Sequence, residues 1–498
     1  MFDPTANPVQ YSYGLLLLAI LAVLLGALAA RRIKARNRSV SPFVITPYLQ
    51  LGPNGGTTSD MELRWLTTAT NSRYRVVLKA IEPTSCPADQ KLHTLEPKVS
   101  LLKIHTSADV SLDLPHHYSY HVVPLENLPP DTAYAYEIWH ARKLVFADQL
   151  HTRKAADQPF RLVAVGDPGT HGVGQAQVAD CVATIKPDLI VQPGDIVYKQ
   201  GLFSEYLSNY FPFQRKLLSR FLSIQVLGNH DVTRQDFRKG HSLSDYPDSL
   251  AWYYVWSLPL NGPRHNSLVS NVEPLLGAKH LRRTFKRNTG ARYPTMGNYS
   301  FDYGLAHIVV LDANVYMDWS DKVFRQWLQD DLKRSQARWK IVVWHQPSFT
   351  SHLRHRIEQR MRLVADIIQN AGVKLVLTGH AHHYERSYPL NFQAARAGSS
   401  AISRDGLVAG DIQLDKDYDG VTNTKPQGPI YIVTGGGGAP LSQMGKDVPT
   451  SSGEWQSFTH KMVFDRYSLS VIDVDANSLT VRQMSADGEV FDSFIITQ

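Results

Sequence analysis

Two periods of hydrophobic and polar residues divide the chain. Between about 41 and 155, apolar residues recur at every second position over short runs, which predicts strands with one buried face. Met61-Glu62-Leu63-Arg64-Trp65-Leu66-Thr67 places Met61, Leu63 and Trp65 on one side, and Tyr74–Ala80 and Tyr118–Pro124 read as further strands. From about 156 strands alternate with helical patterns, as α/β or α+β layering requires. Val178, Cys181, Val182 and Ile185 share one helical face. Trp327, Leu328 and Leu332 belong to a helix between Ser320 and Gln336, and Val364, Ile367, Ile368 and Ala371 to a third. Asn298–Asp302 and Ala306–Leu311 flank Tyr303-Gly304-Leu305 as a hairpin. The strand-like segments Pro429–Thr434, Tyr467–Val474 and Ser478–Met484 predict a second sheet facing the first, with helices outside.

A chain of 498 residues is too long for one small core, so two folded domains are expected, an all-β one over 41–155 and a layered one over 156–498. The stretch Leu125–Tyr136 looks like the corner of a fibronectin type III or immunoglobulin-like sandwich. There a tyrosine near the start of the next strand bonds back across the corner; Tyr134 is the candidate, Tyr136 the alternative. Residues 1–40 differ from both domains. Gly14–Ala30 is a 17-residue run without charge, extending over about 11–30 if Tyr11–Tyr13 sit at the interface, which is long enough to span a bilayer. No Lys or Arg precedes it, so a single-pass anchor is favoured over a signal peptide, although Ala27-Leu28-Ala29 resembles a cleavage site. The flank of Arg31, Arg32, Lys34, Arg36 and Arg38 would leave the remainder cytoplasmic by the positive-inside rule.

That flank also carries part of the modest net charge of +7. A basic run beside an apolar segment is a topology signal, and no zinc knuckle or RNA-binding aromatic signature accompanies it, so no nucleic-acid module is expected. The two cysteines, Cys86 and Cys181, fall in different regions, which argues against a disulfide framework. An oligomer is compatible with this pattern, which carries no signal for one.

The chemistry lies where five apolar runs end. Arg161–Val165 leads into Gly166-Asp167-Pro168-Gly169, and Asp188–Pro193 into Gly194-Asp195-Ile196-Val197-Tyr198. Ser223–Leu227 leads into Gly228-Asn229-His230-Asp231, Lys340–Trp344 into His345, and Lys374–Thr378 into Gly379-His380-Ala381-His382. Ligands gather beyond the carboxyl ends of strands in α/β sheets, so these segments should meet at one edge. Together they offer carboxylate, phenol, amide and imidazole donors for two adjacent metal ions, which can clamp both the attacking and the leaving oxygen of a phosphoryl displacement. Asp195 is the candidate bridging carboxylate, Asp167 a terminal ligand and Asn229 a neutral oxygen donor. His345, His380 and His382 complete the two shells. Tyr198 discriminates among metals: displacing a proton from a group with so high a pKa takes a strongly Lewis-acidic ion and favours trivalent iron.

These five blocks resemble the signature of calcineurin-like metallophosphoesterases. The Tyr198 of the second block and the Gly169 closing the first make the chain similar to the purple acid phosphatases. The resemblance extends over the β domain, His382-His383-Tyr384-Glu385-Arg386, Gly435–Leu441 and the final strands. It implies a four-layer β-sandwich flanked by helices, preceded by the fibronectin type III-like domain; the transmembrane helix is expected from the apolar run Gly14–Ala30 alone. It implies Fe(III) held by Asp167, Asp195, Tyr198 and His382, and a divalent Fe, Zn or Mn held by Asp195, Asn229, His345 and His380. His230 matches a substrate-facing histidine, with Asp231 as its orienting carboxylate. A further histidine after the His345 block is expected; His352 and His355 both qualify, and spacing leans to His355. The implied activity is acid phosphatase hydrolysis of phosphate monoesters by a metal-activated hydroxide with histidine assistance. The alternatives are a phosphodiesterase acting on nucleotides or phospholipid headgroups, or a non-catalytic membrane-tethered binding protein. The resemblance points to an extracytoplasmic catalytic domain, against the charge of the N-terminal flank.

Other features carry less. The basic run Lys279–Arg287, in a long insertion over about 232–297, reads as a solvated face and as the best candidate for a substrate-selecting element. Trp252-Tyr253-Tyr254-Val255-Trp256 reads as core, Gly435–Gly438 as a flexible loop near the site, and His171 as a surface or supporting residue.

Overall fold

The computed structural model describes residues 41–498 apart from internal stretches at 56–60, 70–72, 82–91, 108, 110–115, 233–241, 265–270, 397 and 404. The expected transmembrane segment, its basic flank and Cys86 lie outside the described residues. Among the described residues no helix is long and apolar enough to cross a membrane.

The alternating segments of the first region form eight strands: β1 (Phe43–Gln50), β2 (Met61–Thr68), β3 (Tyr74–Ala80), β4 (Leu92–Leu95), β5 (Lys98–Ile104), β6 (His116–Leu125), β7 (Ala133–His140) and β8 (Lys143–His151). They make two four-stranded antiparallel sheets, ordered β1-β2-β6-β5 and β4-β3-β7-β8. The inward residues of the two sheets interdigitate, as alternation demands. Trp65 of one sheet meets Tyr74 of the other edge-on at 6.0 Å, and Phe43 meets Phe146 at 5.8 Å. The ring of Tyr134 lies edge-on to His93, whereas the Tyr136 hydroxyl leaves the sandwich and donates to the Ser219 carbonyl at 2.9 Å.

The remaining strands build two mixed sheets. One, ordered β11-β10-β9-β21-β22-β23, contains β9 (Phe160–Ala164), β10 (Leu189–Gln192), β11 (Leu222–Gln225), β21 (Ser468–Val474), β22 (Ser478–Ser485) and β23 (Val490–Thr497). The other, ordered β12-β13-β14-β15-β19-β16-β20, contains β12 (Tyr299–Tyr303), β13 (Ala306–Val310), β14 (Trp339–Val343), β15 (Leu375–Thr378), β16 (Tyr384–Ser387), β19 (Ile430–Thr434) and β20 (Thr459–Val463). A small hairpin, β17 (Leu390–Ala394) with β18 (Gly410–Leu414), stands apart. The central strands of both sheets are buried on both faces, and they read as continuous apolar runs for that reason. The Lys322–Arg334 helix buries Phe324, Leu328 and Leu332, and its Asp331 takes a hydrogen bond from Ser300 of β12. The Val173–Ile185 helix buries Val178 and Val182 against Val163, Ile190 and Val471, with Cys181 half-buried beside them. The result is helix, sheet, sheet, helix.

At this level the basic run is the solvated face expected of it, and the glycine run departs from expectation. The Lys279–Thr289 helix packs on β5 through the Asn288 side chain, which donates to the Lys103 carbonyl at 2.9 Å. Its Arg282, Arg283, Lys286 and Arg287 face solvent. It therefore covers the edge of the first sandwich, and no hydrogen bond or ion pair among the described residues joins it to the His230 loop. The glycine run is packed rather than flexible: all four residues are buried, and a Cβ on Gly437 would lie 2.1 Å from the Gly166 carbonyl oxygen. Only a glycine lets these two backbones cross so closely.

The two mixed sheets are also clamped by a buried ion pair. Arg386 of β16 donates to both carboxylate oxygens of Asp492 in β23, at 2.7 and 3.1 Å, and Tyr384 donates a third bond at 2.7 Å. Asp492→Ala leaves the guanidinium buried without its counter-charge and is expected to cost about 3–5 kcal/mol, read from chemical denaturation. Burial alone would raise the Asp492 carboxyl, but Arg386 holds it below its usual value. Its stabilisation is therefore complete above the unfolded carboxyl pKa of about 3.9 and is lost as pH falls through the folded value. The stability gap between wild type and variant should narrow below about pH 4.

Candidate metal centre

Each of the five blocks stands just past the carboxyl end of a strand. Asp167 follows β9, Asp195 and Tyr198 follow β10, Asn229 and His230 follow β11, His345 follows β14, and His380 and His382 follow β15. The ends of β9, β10 and β11 open together in one sheet and those of β14 and β15 in the other. Backbone bonds knit them together: Gly166 N donates to the Thr434 carbonyl, Asp167 N to that of Gly194, and Gly379 N to that of His345.

The chain turns sharply at three of these corners. Asp167, Asp195 and His380 have φ of 60°, 49° and 69°, a left-handed conformation that costs a residue with a side chain on the order of 1–3 kcal/mol. In return each side chain is thrown inward at once instead of continuing its strand. The glycine before Asp195 gives room for the result, because a Cβ on Gly194 would lie 2.4 Å from His345 Nδ1.

The donors converge in two groups. The Tyr198 hydroxyl lies 2.9 Å from Asp167 Oδ1 and 3.0 Å from His382 Nε2, and His382 Nε2 lies 3.6 Å from the same carboxylate. In the second group His345 Nε2 lies 3.2 Å from Asp195 Oδ2 and 3.1 Å from Asn229 Oδ1. Asp195, His345 and His380 bring one donor atom each within 4.8 Å of one another. Two donors about 2.1 Å from one ion, at angles between 90° and the tetrahedral value, are about 3.0–3.4 Å apart. The Asp195–His345–Asn229 separations fall in that range and the Asp167–Tyr198–His382 ones, at 2.9 to 3.6 Å, straddle it, so both groups approximate the spacing of ligands around a metal ion. The chemistry fits too: two fully buried carboxylates require positive charge beside them. Burial would raise the Asp195 carboxyl, yet the facing His345 and His230 rings hold it well below the carboxylate range. Burial and then Asp167 push the Tyr198 phenol far up, so a proton leaves it only for a strong Lewis acid.

The imidazoles are oriented from behind. His345 Nδ1 lies 2.7 Å from the Pro193 carbonyl, and His382 Nδ1 2.8 Å from that of Pro440, which leaves Nε2 of each as the donor. His230 packs its ring on Tyr198 at 4.5 Å, and its Nδ1 meets the Lys199 carbonyl at 2.9 Å. That carbonyl, not Asp231, is the orienting group. Asp231 is fully buried and turned away: its carboxylate accepts from the backbone N–H of Gly228 and Ile196, both at 2.9 Å, and of Val197 at 3.3 Å. It staples the Asp195 loop to the Asn229 loop.

The two later histidines also separate. His352 is buried, and its Nδ1 accepts from the backbone N–H of Arg354 and His355, capping the turn His355–Ile357. His355 is half-buried with its ring 3.9 Å from that of His380. The loop carrying both is held by Glu385, which accepts from Ser351 N at 2.8 Å, from Thr459 at 2.6 Å and from Thr350. His383 stacks parallel to His352 at 5.8 Å and touches Glu385 with Nε2. His171 is peripheral, with Nδ1 on the Ser208 carbonyl. One acid escaped the sequence reading. Glu358 Oε1 lies 3.4 Å from both His355 Nδ1 and His380 Nε2. The signal was available, since a glutamate three residues after a histidine shares its side of a tight turn.

Facing mixed sheets with two donor groups at their strand ends define a metallophosphoesterase architecture. Residues 160–384 match the family model of the calcineurin-like phosphoesterases, and 428–493 that of the iron/zinc purple acid phosphatase-like protein C-terminal region. The chain thus carries a calcineurin-like phosphoesterase region and is similar to the purple acid phosphatases. It is 24% identical over 350 residues to purple acid phosphatase 15 of Arabidopsis thaliana, covering 64% of this chain and 53% of that one, so it spans about half the length of this plant relative. It is 26% identical over 431 residues to the uncharacterized protein Rv2577 of Mycobacterium tuberculosis, covering 81% and 71%. Among solved structures, the purple acid phosphatase PPD1 of yellow lupin superposes with a TM-score of 0.62 at 15% identity, over 92% of this chain and 75% of that one. PhoD superposes with a TM-score of 0.53 at 14% identity, over 93% and 90%.

Asp231→Ala strips three buried N–H groups of their acceptor. It should cost about 1–3 kcal/mol per group left unsatisfied, seen as a lower denaturation midpoint even in metal-free protein.

Proposed function

We propose that the protein is a phosphatase that hydrolyses phosphate monoesters at a dinuclear centre. Fe(III) would be held by Asp167, Asp195, Tyr198 and His382, and a divalent Fe, Zn or Mn by Asp195, Asn229, His345 and His380. The observation that carries this reading is the phenol of Tyr198 within 3.0 Å of both a buried carboxylate and an imidazole nitrogen. Once bound, the ions supply the Lewis acidity that positions the phosphate and ionises the attacking water. The chain's own residues do the rest. His230 presents Nε2 to the substrate because Lys199 occupies Nδ1, and His355 stands beside His380. As water adds to phosphorus the ester P–O bond breaks, and an imidazolium at His230 or His355 gives its proton to the leaving alkoxide. Asp231 and His352 act through the loops they hold.

The β1–β8 sandwich is proposed as a fibronectin type III-like support domain, with residues 156–498 as the catalytic domain and the apolar run Gly14–Ala30 as a membrane anchor. The membrane side follows from two opposed arguments, the basic flank for a cytoplasmic site and the family resemblance for an extracytoplasmic one. Protease protection of the catalytic domain in sealed membranes decides between them.

The test is metal content, visible spectrum and turnover of the purified full-length chain. Two ions per chain and a phenolate–iron charge-transfer band lost in Tyr198→Phe are expected. Turnover of p-nitrophenyl phosphate should exceed that of its bis ester, and His230→Ala should lower kcat about 10²–10⁴-fold. Faster diester turnover would turn the reading to a phosphodiesterase. A chain that binds no metal under any loading would leave a binding protein on this scaffold.

A further inference from the structure

The predicted ligands His345 and His382 share one device. A backbone carbonyl takes the Nδ1 hydrogen, so Nε2 is the free donor in both rings. His380 is built the other way round. Its Nε2 is directed to Glu358 Oε1 at 3.4 Å, and the same ring brings a nitrogen within 4.8 Å of donor atoms of Asp195 and His345. The same carboxylate oxygen stands 3.4 Å from Nδ1 of His355. The turn His355–Ile357 sets this up, because the Glu358 N–H closes on the His355 carbonyl at 2.9 Å and brings the two side chains together. Glu358 is largely shielded from solvent, its side chain 29% exposed.

We propose that Glu358 is the positioning residue of the divalent half-site. It fixes the His380 tautomer with Nδ1 toward the metal and, through the same oxygen, the His355 tautomer with Nε2 toward the substrate. A carboxylate behind a ligating imidazole raises the basicity of the donor nitrogen and locks the ring, and losing such a group lowers metal affinity about 10–100-fold. A carbonyl does this less strongly than a charged acid, so the one imidazole backed by a carboxylate marks a half-site tuned to hold its ion tightly. Coupling through one oxygen also ties ion binding to the orientation of a substrate-side histidine.

This inference rests on the dinuclear reading, and the experiment keeps the two apart. Stripped full-length protein is titrated with zinc and, separately, manganese, following stoichiometry and affinity in wild type, Glu358→Gln and Glu358→Ala. The Tyr198 band of the iron-loaded protein and the thermal midpoint are recorded alongside. The expected result is a selective loss: the band and midpoint stay, while the divalent ion binds about 10–100-fold more weakly in Glu358→Ala. Glu358→Gln, which keeps one acceptor, should recover part of that affinity and leave KM less changed than kcat. Two tightly bound ions with unchanged affinity in Glu358→Ala overturn the assignment and spare the dinuclear reading. Loss of both ions together with the band shows a general collapse and also overturns it. A wild-type chain that holds fewer than two ions overturns both.

Discussion

Three buried carboxylates, Asp167, Asp195 and Asp231, crowd one small volume beneath the strand ends, and much of the surrounding structure answers that crowding. An isolated buried carboxylate is prohibitively costly, so each must be neutralised, bonded or faced by a cation. The three are treated differently. Asp231 is satisfied by backbone N–H groups, and burial followed by the charge of Asp195 pushes its carboxyl up to about 7. Asp167 accepts from Tyr198 and from the His380 backbone N–H at 2.8 Å. Asp195 accepts the His230 N–H at 2.7 Å and faces His345, whose ring its charge helps to lift to about 10 despite burial.

Placing these acids together requires backbone that ordinary packing would not choose. Two of the three acids and one of the facing histidines lie in the left-handed region, each next to a glycine. Strain of this kind persists only where neighbours over-determine it. Here the neighbours are the two sheets, locked by the Thr434 carbonyl on Gly166 and by the close crossing of Gly437. The clamp of Arg386 on Asp492 works to the same end farther away. The first sandwich contributes from the side, with Gln50 reaching the Ser223 carbonyl at 3.0 Å just before the Asn229 loop.

The functional groups then divide by how they are held. Backbone carbonyls aim His345, His382 and His230; side-chain acids hold Glu358's two histidines and the loop of His352. A carbonyl is fixed with the fold, whereas a carboxylate adds charge and can strengthen the donor it backs. The two donor groups therefore differ in how their imidazoles are backed.

Much of this was legible in local pattern. Alternation marked β2, β3 and β6, helical spacing marked Val173–Ile185 and Lys322–Arg334, and five short blocks named the residues that gather at the strand ends. These signals are local because the chain's period and the residue after a strand depend on a few neighbours in sequence. What the tertiary structure alone decided is which atoms face one another. It turned Asp231 away from His230 and gave that role to Lys199. It sent His352 to cap a turn and His355 to the side of His380, packed the glycine run instead of freeing it, and laid the basic helix on β5. It also brought Glu358 to two histidines at once. The His352 cap and the pairing of Glu358 with His355 are local, but the others depend on distances between segments tens to hundreds of residues apart, set by sheet order and strained corners, and periodicity along the chain holds no information about them.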